Sequence, residues 1–234
     1  MLTFLKKTWL YQILMLLIVV MAIDLAAVHK RNRQLKDEFH KGIQTAALRS
    51  AVQMDSMVNP SNTKNAYHKW LCAEKMAKHF YQTSDGKFKT KWGLFLVLQA
   101  RGHQIDPKIV FQLLKLESGG TFNPHLIGPK TKYGRAYGMA QFMTNTAPWI
   151  AKMAHVPYKK KKLFDPYYAI DLSVTYLDFL HDRYGNWNEA LTAYNRGIYG
   201  LKSYMQKHGD SKSDYAMTIQ NRVKKANVHF VFGH

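Results

Sequence analysis

Glu117 is the residue around which chemistry can be built in this chain. It ends the segment Asp106-Pro107 to Ser118, which reads as a helix with a capping aspartate, a proline at its first position and Ser118-Gly119-Gly120 as its stop. Val110, Leu113 and Leu114 share one face at helical spacing, and the next turn of that face reaches Glu117. A carboxylate there meets the negative end of the helix dipole and an apolar surface. Both disfavour the charged form, so the spacing predicts a raised pKa and a general acid near neutral pH. Between Glu117 and Asp165 there is no Asp or Glu, whereas eight Lys or Arg occur. Most glycosidases pair two carboxylates, so an acid without a local partner suits a reaction in which the substrate supplies its own nucleophile. Asp165, Asp171, Asp178 and Glu189 are the acids that folding could bring near. A single cysteine, Cys72, and 11 scattered histidines give no metal-ligand spacing, so neither metal nor cofactor is expected.

Helices must position this acid. Apolar periodicity predicts them over Asn65–Tyr81 (Tyr67, Trp70, Leu71, Met76, Phe80), over Trp92–Arg101, and from Asn145 or Thr146 to about His155. Asp165-Pro166 repeats the cap-and-proline start for a helix to Tyr184-Gly185, and Asn186 caps Trp187–Asn195, closed by Gly197. Leu201–His208 and Tyr215–Val228 complete the set, with a short strand at His229–Phe232. Gly119–Tyr137 reads as a loop, and Lys159–Lys162 as a basic run. No internal repeat is visible. Tyr194 lies on the apolar face of its helix with Ala190 and Leu191, and Asn195 precedes a helix stop; each also has a purely structural reading, as does a Gln or Gly at a turn.

Three blocks in order resemble the soluble lytic transglycosylase, or goose-lysozyme-like, family: Glu117-Ser118, then Gly138-Met139-Ala140-Gln141-Phe142-Met143, then Ala193-Tyr194-Asn195 with Gly197. The resemblance spans about Leu94 to Lys207 and nothing before Lys64. It implies an all-α, lysozyme-like catalytic domain in which Gly138 to Gln141 open a helix. It also implies cleavage of the β-1,4 bond between N-acetylmuramic acid and N-acetylglucosamine of peptidoglycan. Glu117 would protonate the glycosidic oxygen, the sugar's N-acetyl group would support the positive centre, and the C6 hydroxyl would close a 1,6-anhydro ring. Tyr194 would hydrogen-bond and orient Glu117. Substrate contacts would fall to Gln141 and Asn195, with Ser118, Gly138, Met139, Phe142 and Tyr137 in the same surroundings. Tyr133 and Trp149 are further candidates for sugar stacking or for core. Three departures stand out: Met139-Ala140 in place of Leu-Met, Arg196 in place of Ala, and a loop from Gly119 to Tyr137 lengthened in effect by Gly-Pro-Lys-Thr-Lys-Tyr-Gly-Arg.

The whole chain of 234 residues, 47% hydrophobic and 13% aromatic, holds enough apolar material for one good core. A net charge of +19 calls for an anionic partner, such as a wall polymer, a lipid head group or nucleic acid. Trp9–Val28 has the length and apolarity of a membrane span, preceded by Lys6 and Lys7, with Asp24 its only charge. A cleaved signal ending near Ala26-Ala27 is the rival reading. Lys30, Arg31, Arg33 and Lys36 oppose an outward-facing C-terminus, whereas wall chemistry requires it. The organisation read from the sequence is an N-terminal anchor over 1–28 and a helical stalk over 29–62, broken at Asn59-Pro60-Ser61-Asn62. An accessory helical segment (63–93), the catalytic domain (94–207) and a tail helix (208–234) follow. The expected partners are peptidoglycan strands, the membrane, and secretion, conjugation or phage machinery. Two other readings compete: a muramidase giving a reducing sugar, which needs a second carboxylate, and a non-catalytic basic tether for DNA or another polyanion. The chain carries no nucleic-acid-binding motif.

Overall fold

The computed structural model describes residues 63–232, and the side chains of 68–226. The anchor and stalk expected over 1–62 lie outside the described residues. Residues from Ser61 onward form one compact unit. Its described part contains seven α-helices: α1 (Thr63–Thr83), α2 (Thr90–Gly102), α3 (Pro107–Glu117), α4 (Ala147–Met153), α5 (Pro166–Tyr184), α6 (Trp187–His208) and α7 (Asp214–Phe232). A two-stranded antiparallel hairpin, β1 (Ala136–Tyr137) with β2 (Phe142–Met143), and a 3-10 turn at Lys160–Phe164 lie between α3 and α5. The expectation of a mostly helical domain holds. No helix among the described residues is long and apolar enough to cross a membrane.

Helix starts follow the sequence signals. Asp106 accepts from Lys108 N at 2.9 Å and Asp165 from Tyr167 N at 2.9 Å, each ahead of a proline. Asn186 accepts from Glu189 N at 2.9 Å to cap α6. Gly197 (φ 75°, ψ 166°) interrupts α6, where the sequence placed a helix end. His229–Phe232, read as a strand, continues α7 instead. The missed strands are two residues each, too short to show an alternation.

α5 is the central element, packed against α2, α3, α4 and α6. α7 closes over α3 and α6. Gly93 lets α1 and α2 touch, because a Cβ there would lie 3.0 Å from the Cα of Ala77. His103 Nδ1 and Asp178 Oδ2, 2.6 Å apart, tie the end of α2 to α5. The segment before residue 94 shares the core of the rest. Phe80 of α1 stacks on Phe111 of α3 at 4.3 Å between centroids, Phe122 stacks on Phe111 at 5.3 Å, and Phe88 packs edge-on against the pair. All four rings are buried.

Candidate active site

The last turn of α3 carries Glu117, and Ser118 fixes how that helix stops. The Ser118 hydroxyl donates to Leu114 O at 2.7 Å and accepts from Phe122 N at 3.0 Å. Gly119 and Gly120, both at positive φ, turn the chain back, and Gly120 N donates to Lys115 O at 2.7 Å. Ser118 is 2% exposed and both sides of its hydroxyl are engaged, so the structure places it in the turn and away from solvent.

The Glu117 carboxyl is partly buried. Tyr215 Oη donates to its Oε1 at 2.6 Å. Burial pushes its pKa up from the ordinary glutamate range to about 7, and the Tyr215 hydrogen bond pulls the other way. No second carboxylate contributes to the shift. Asp165 caps α5, Asp178 faces His103, and Glu189 Oε1 accepts from Asn186 Nδ2 at 2.9 Å. Asp171 is itself raised by burial, with His103 opposing.

Tyr215 was not foreseen in the sequence, because the tail helix was set apart from the catalytic segment. Its placement is built by α6. Ser213 Oγ lies 2.7 Å from Thr192 Oγ1 and accepts from Ala216 N, so it caps α7 while fastening it to α6. Thr192 Oγ1 also lies 2.8 Å from Ser211 O, and Gln220 Nε2 donates to Asn188 Oδ1 at 2.6 Å. The available signal was the apolar stripe Tyr215, Ala216, Ile219 and Val223, which marks α7 as a helix that must pack on the domain.

Tyr194 occupies a different place from the one expected. Its hydroxyl donates to Ala140 O at 3.3 Å and lies 3.4 Å from Ser173 Oγ, so the hydrogen bond to Glu117 assigned to it belongs to Tyr215. Tyr194 nevertheless stands within electrostatic reach of the acid. Burial, followed by the Glu117 charge, raises its pKa well above the usual tyrosine value, and Tyr215 is raised for the same two leading reasons. Tyr176 and Phe142 complete an aromatic wall at 5.3 and 5.8 Å from the Tyr194 ring.

The second block forms the tight turn between β1 and β2 and opens no helix. Gly138 (φ 75°) is obligatory there, since a Cβ would stand 1.9 Å from Leu163 O. Gln141, also at positive φ (50°), donates its Nε2 to Gly138 O at 2.7 Å. Its Oε1 presses against the Cα side of Gly128. Met139 is fully buried and Phe142 is 4% exposed, so as they stand both pack the turn and present no surface to a ligand. Tyr137 is half-buried between the Phe164 ring (6.0 Å) and Lys160 Nζ (4.4 Å above its face). Asn195 is exposed at the end of the first half of α6. Glu117, Tyr215, Tyr194 and the 138–141 turn thus come together, with Ser118 and Met139 buried within the turns that hold them. Among the described residues no cluster of His, Cys, Asp or Glu could hold a metal.

The pattern of the transglycosylase SLT domain matches residues 98–217, a span from α2 to the first turn of α7 that includes Glu117 and Tyr215. This chain belongs to the SLT family. One relative of the SLT domain here is the membrane-bound lytic murein transglycosylase C of Mannheimia succiniciproducens, 32% identical over 148 residues. That match covers 58% of this chain and 39% of the relative, so the chain spans well under half of that protein's length. Solved structures similar to it include the lytic transglycosylase Slt of Pseudomonas aeruginosa (19% identity, TM-score 0.41, 69% of this chain and 31% of that one). The 70 kDa soluble lytic transglycosylase of Escherichia coli is another (20% identity, TM-score 0.40, 62% and 26%).

Proposed function

We propose that this chain is a peptidoglycan lytic transglycosylase with Glu117 as its only catalytic carboxyl group. The observation that carries the reading is an acid with a pKa of about 7, gripped through one oxygen by Tyr215 and raised by burial with no described carboxylate contributing, in a chain of the SLT family. Tyr215 donates to Oε1, which leaves Oε2 as the oxygen to carry the proton. The protonated acid gives that proton to the glycosidic oxygen on the N-acetylglucosamine side as the bond to C1 of N-acetylmuramic acid breaks. The positive centre at C1 is met by the sugar's own N-acetyl oxygen. Glu117, now ionised and stabilised by the Tyr215 hydrogen bond, takes the proton of the C6 hydroxyl. The C6 oxygen then bonds to C1, giving a 1,6-anhydro end and restoring the neutral acid. Because burial disfavours the charged carboxylate and the tyrosine favours it, the two influences keep both protonation states accessible within one cycle. Hydrolysis to a reducing end would ask for a second carboxylate to activate water, and Asp165, Asp178 and Glu189 are occupied in caps and in the His103 pair, while Asp171 exerts no charge effect on Glu117.

The relative named as membrane-bound supports reading 1–28 as an anchor, with the catalytic domain facing the wall. A tethered enzyme cuts close to the membrane, which suits local opening of the wall for a secretion or conjugation machine. The test is digestion of purified peptidoglycan by the full chain in detergent, with mass spectrometry of the products. Anhydro-muramic ends are expected. Reducing ends one water heavier, or an undiminished rate in Glu117→Gln, would overturn the reading.

A further inference from the structure

The lengthened loop is an ordered element. Ile127 bridges Tyr137 and Thr131 bridges Gly134, so residues 127–137 fold as a hairpin whose returning arm runs into β1. Gly128 N donates to Ala136 O at 2.9 Å, Thr131 N to Gly134 O at 2.8 Å, and Arg135 Nη1 to Gly128 O at 3.0 Å. Its tip exposes Lys130, Lys132 and Tyr133, the last 65% exposed with Lys132 Nζ over its ring at 4.9 Å. At its base Ile127 is 51% exposed. The 3-10 turn packs there, with Leu163 O against Gly138 and Lys160 over Tyr137, and so adds Lys160 to the same side.

None of the eight Lys and Arg between Glu117 and Asp165 makes an ion pair with a carboxylate of the described residues. Arg135 is held by a backbone hydrogen bond and Lys132, Lys160 and Lys162 lie over aromatic rings, so the positive charge is left uncompensated by carboxylates. The hairpin also connects directly to the acid's surroundings. Its base runs into the 138–141 turn, whose Ala140 O receives the Tyr194 hydroxyl beside Glu117. We infer that the hairpin tip and the lysine turn form a cationic rim that receives the free carboxylates of the peptides branching from the glycan strand. The inference rests on the transglycosylase reading and names the part of the substrate that the sugar site leaves unread. Those peptides spring from the muramic acid residue whose bond Glu117 would cleave. Their mixture of small apolar side chains and free carboxylates matches a surface of lysines set among an exposed tyrosine and isoleucine. A bare phosphate polymer would make no use of Tyr133 and Ile127; a lipid surface would use both, and the vesicle measurement below separates it from the peptides.

The experiment measures binding of the full-length Glu117→Gln chain, in detergent, to three soluble glycans. These are strands with their peptides, strands stripped of peptides by an amidase, and strands whose peptide carboxylates are converted to amides. Peptide-bearing strands should bind about tenfold tighter than the other two, from a few solvent-exposed charge contacts of roughly twofold each. The preference should shrink as salt rises. Lys130→Gln/Lys132→Gln/Lys160→Gln should erase most of that ratio. Equal binding to all three glycans would overturn the inference. So would a triple variant that keeps the preference but loses binding to phosphatidylglycerol vesicles, which would assign the rim to the membrane surface. Binding is read on a chain without its acid. A missing anhydro product in the wild-type digest therefore counts against the catalytic reading alone.

Discussion

Glu117 loses its proton near neutrality because its surroundings withhold water, and this has two measurable consequences. A pKa of about 7 means that the proton donor is depleted as pH rises, so kcat/KM should fall tenfold per pH unit above about 7. A pH profile that stays flat to pH 9 would contradict the acid role. The same shift bears on stability. The folded-state pKa lies above the unfolded value, so the native state binds the extra proton, and stability from this group is complete below about 4.5 and lost as pH rises through 7. Glu117→Gln should therefore gain about 1–2 kcal/mol over wild type at pH 8 and little at pH 4, allowing for solvent that reaches a partly exposed side chain. Urea melts at the two pH values read this directly. Tyr215→Phe removes the one hydrogen bond that favours the carboxylate. Its alkaline limb should move to higher pH, and kcat should drop about tenfold or more, as expected for a lost hydrogen bond to a charged group. An unchanged profile would reduce Tyr215 to packing.

Among the elements, the turn from Gly138 to Gln141 shows what a local pattern can and cannot convey. Gly138 could be recognised as a turn residue, but its neighbour is Leu163, 25 positions later, and only the fold puts a carbonyl where its Cβ would be. Gly138→Ala should cost about 2–4 kcal/mol, from a forbidden contact added to a positive φ, with the loss seen as a lower thermal midpoint. The helix bearing Glu117 was legible almost to the residue, because its cap, its proline and its glycine stop all act within one turn of the chain. Met139 was not. In an extended frame its position alternates to the face opposite Phe142, whereas the turn buries both. Tyr215 escaped for another reason. It meets its partner across 98 residues, a distance over which periodicity carries no information, and the tail helix had been set outside the catalytic segment.

At the level of the molecule, the four-ring cluster makes α1 part of the machinery that holds α3. Phe80→Ala should destabilise the domain by about 3–5 kcal/mol, the usual cost of emptying a buried phenylalanine site. Because Phe111 lies on the helix that ends in Glu117, activity should fail at a lower temperature than in wild type, as followed by residual rate after heating. A variant as stable as wild type would mean that α1 is dispensable. The apolar periodicity of the helices exposed which faces must be buried, but not which partner each would find.

The pairing of α3 with the first turn of α7 also orders events in time. The acid precedes its tyrosine by 98 residues, so a nascent or clipped polypeptide ending before Ser213 holds a carboxyl group without that hydrogen-bond donor. Under the transglycosylase proposal, competence to cut therefore waits on the seating of α7 against α3.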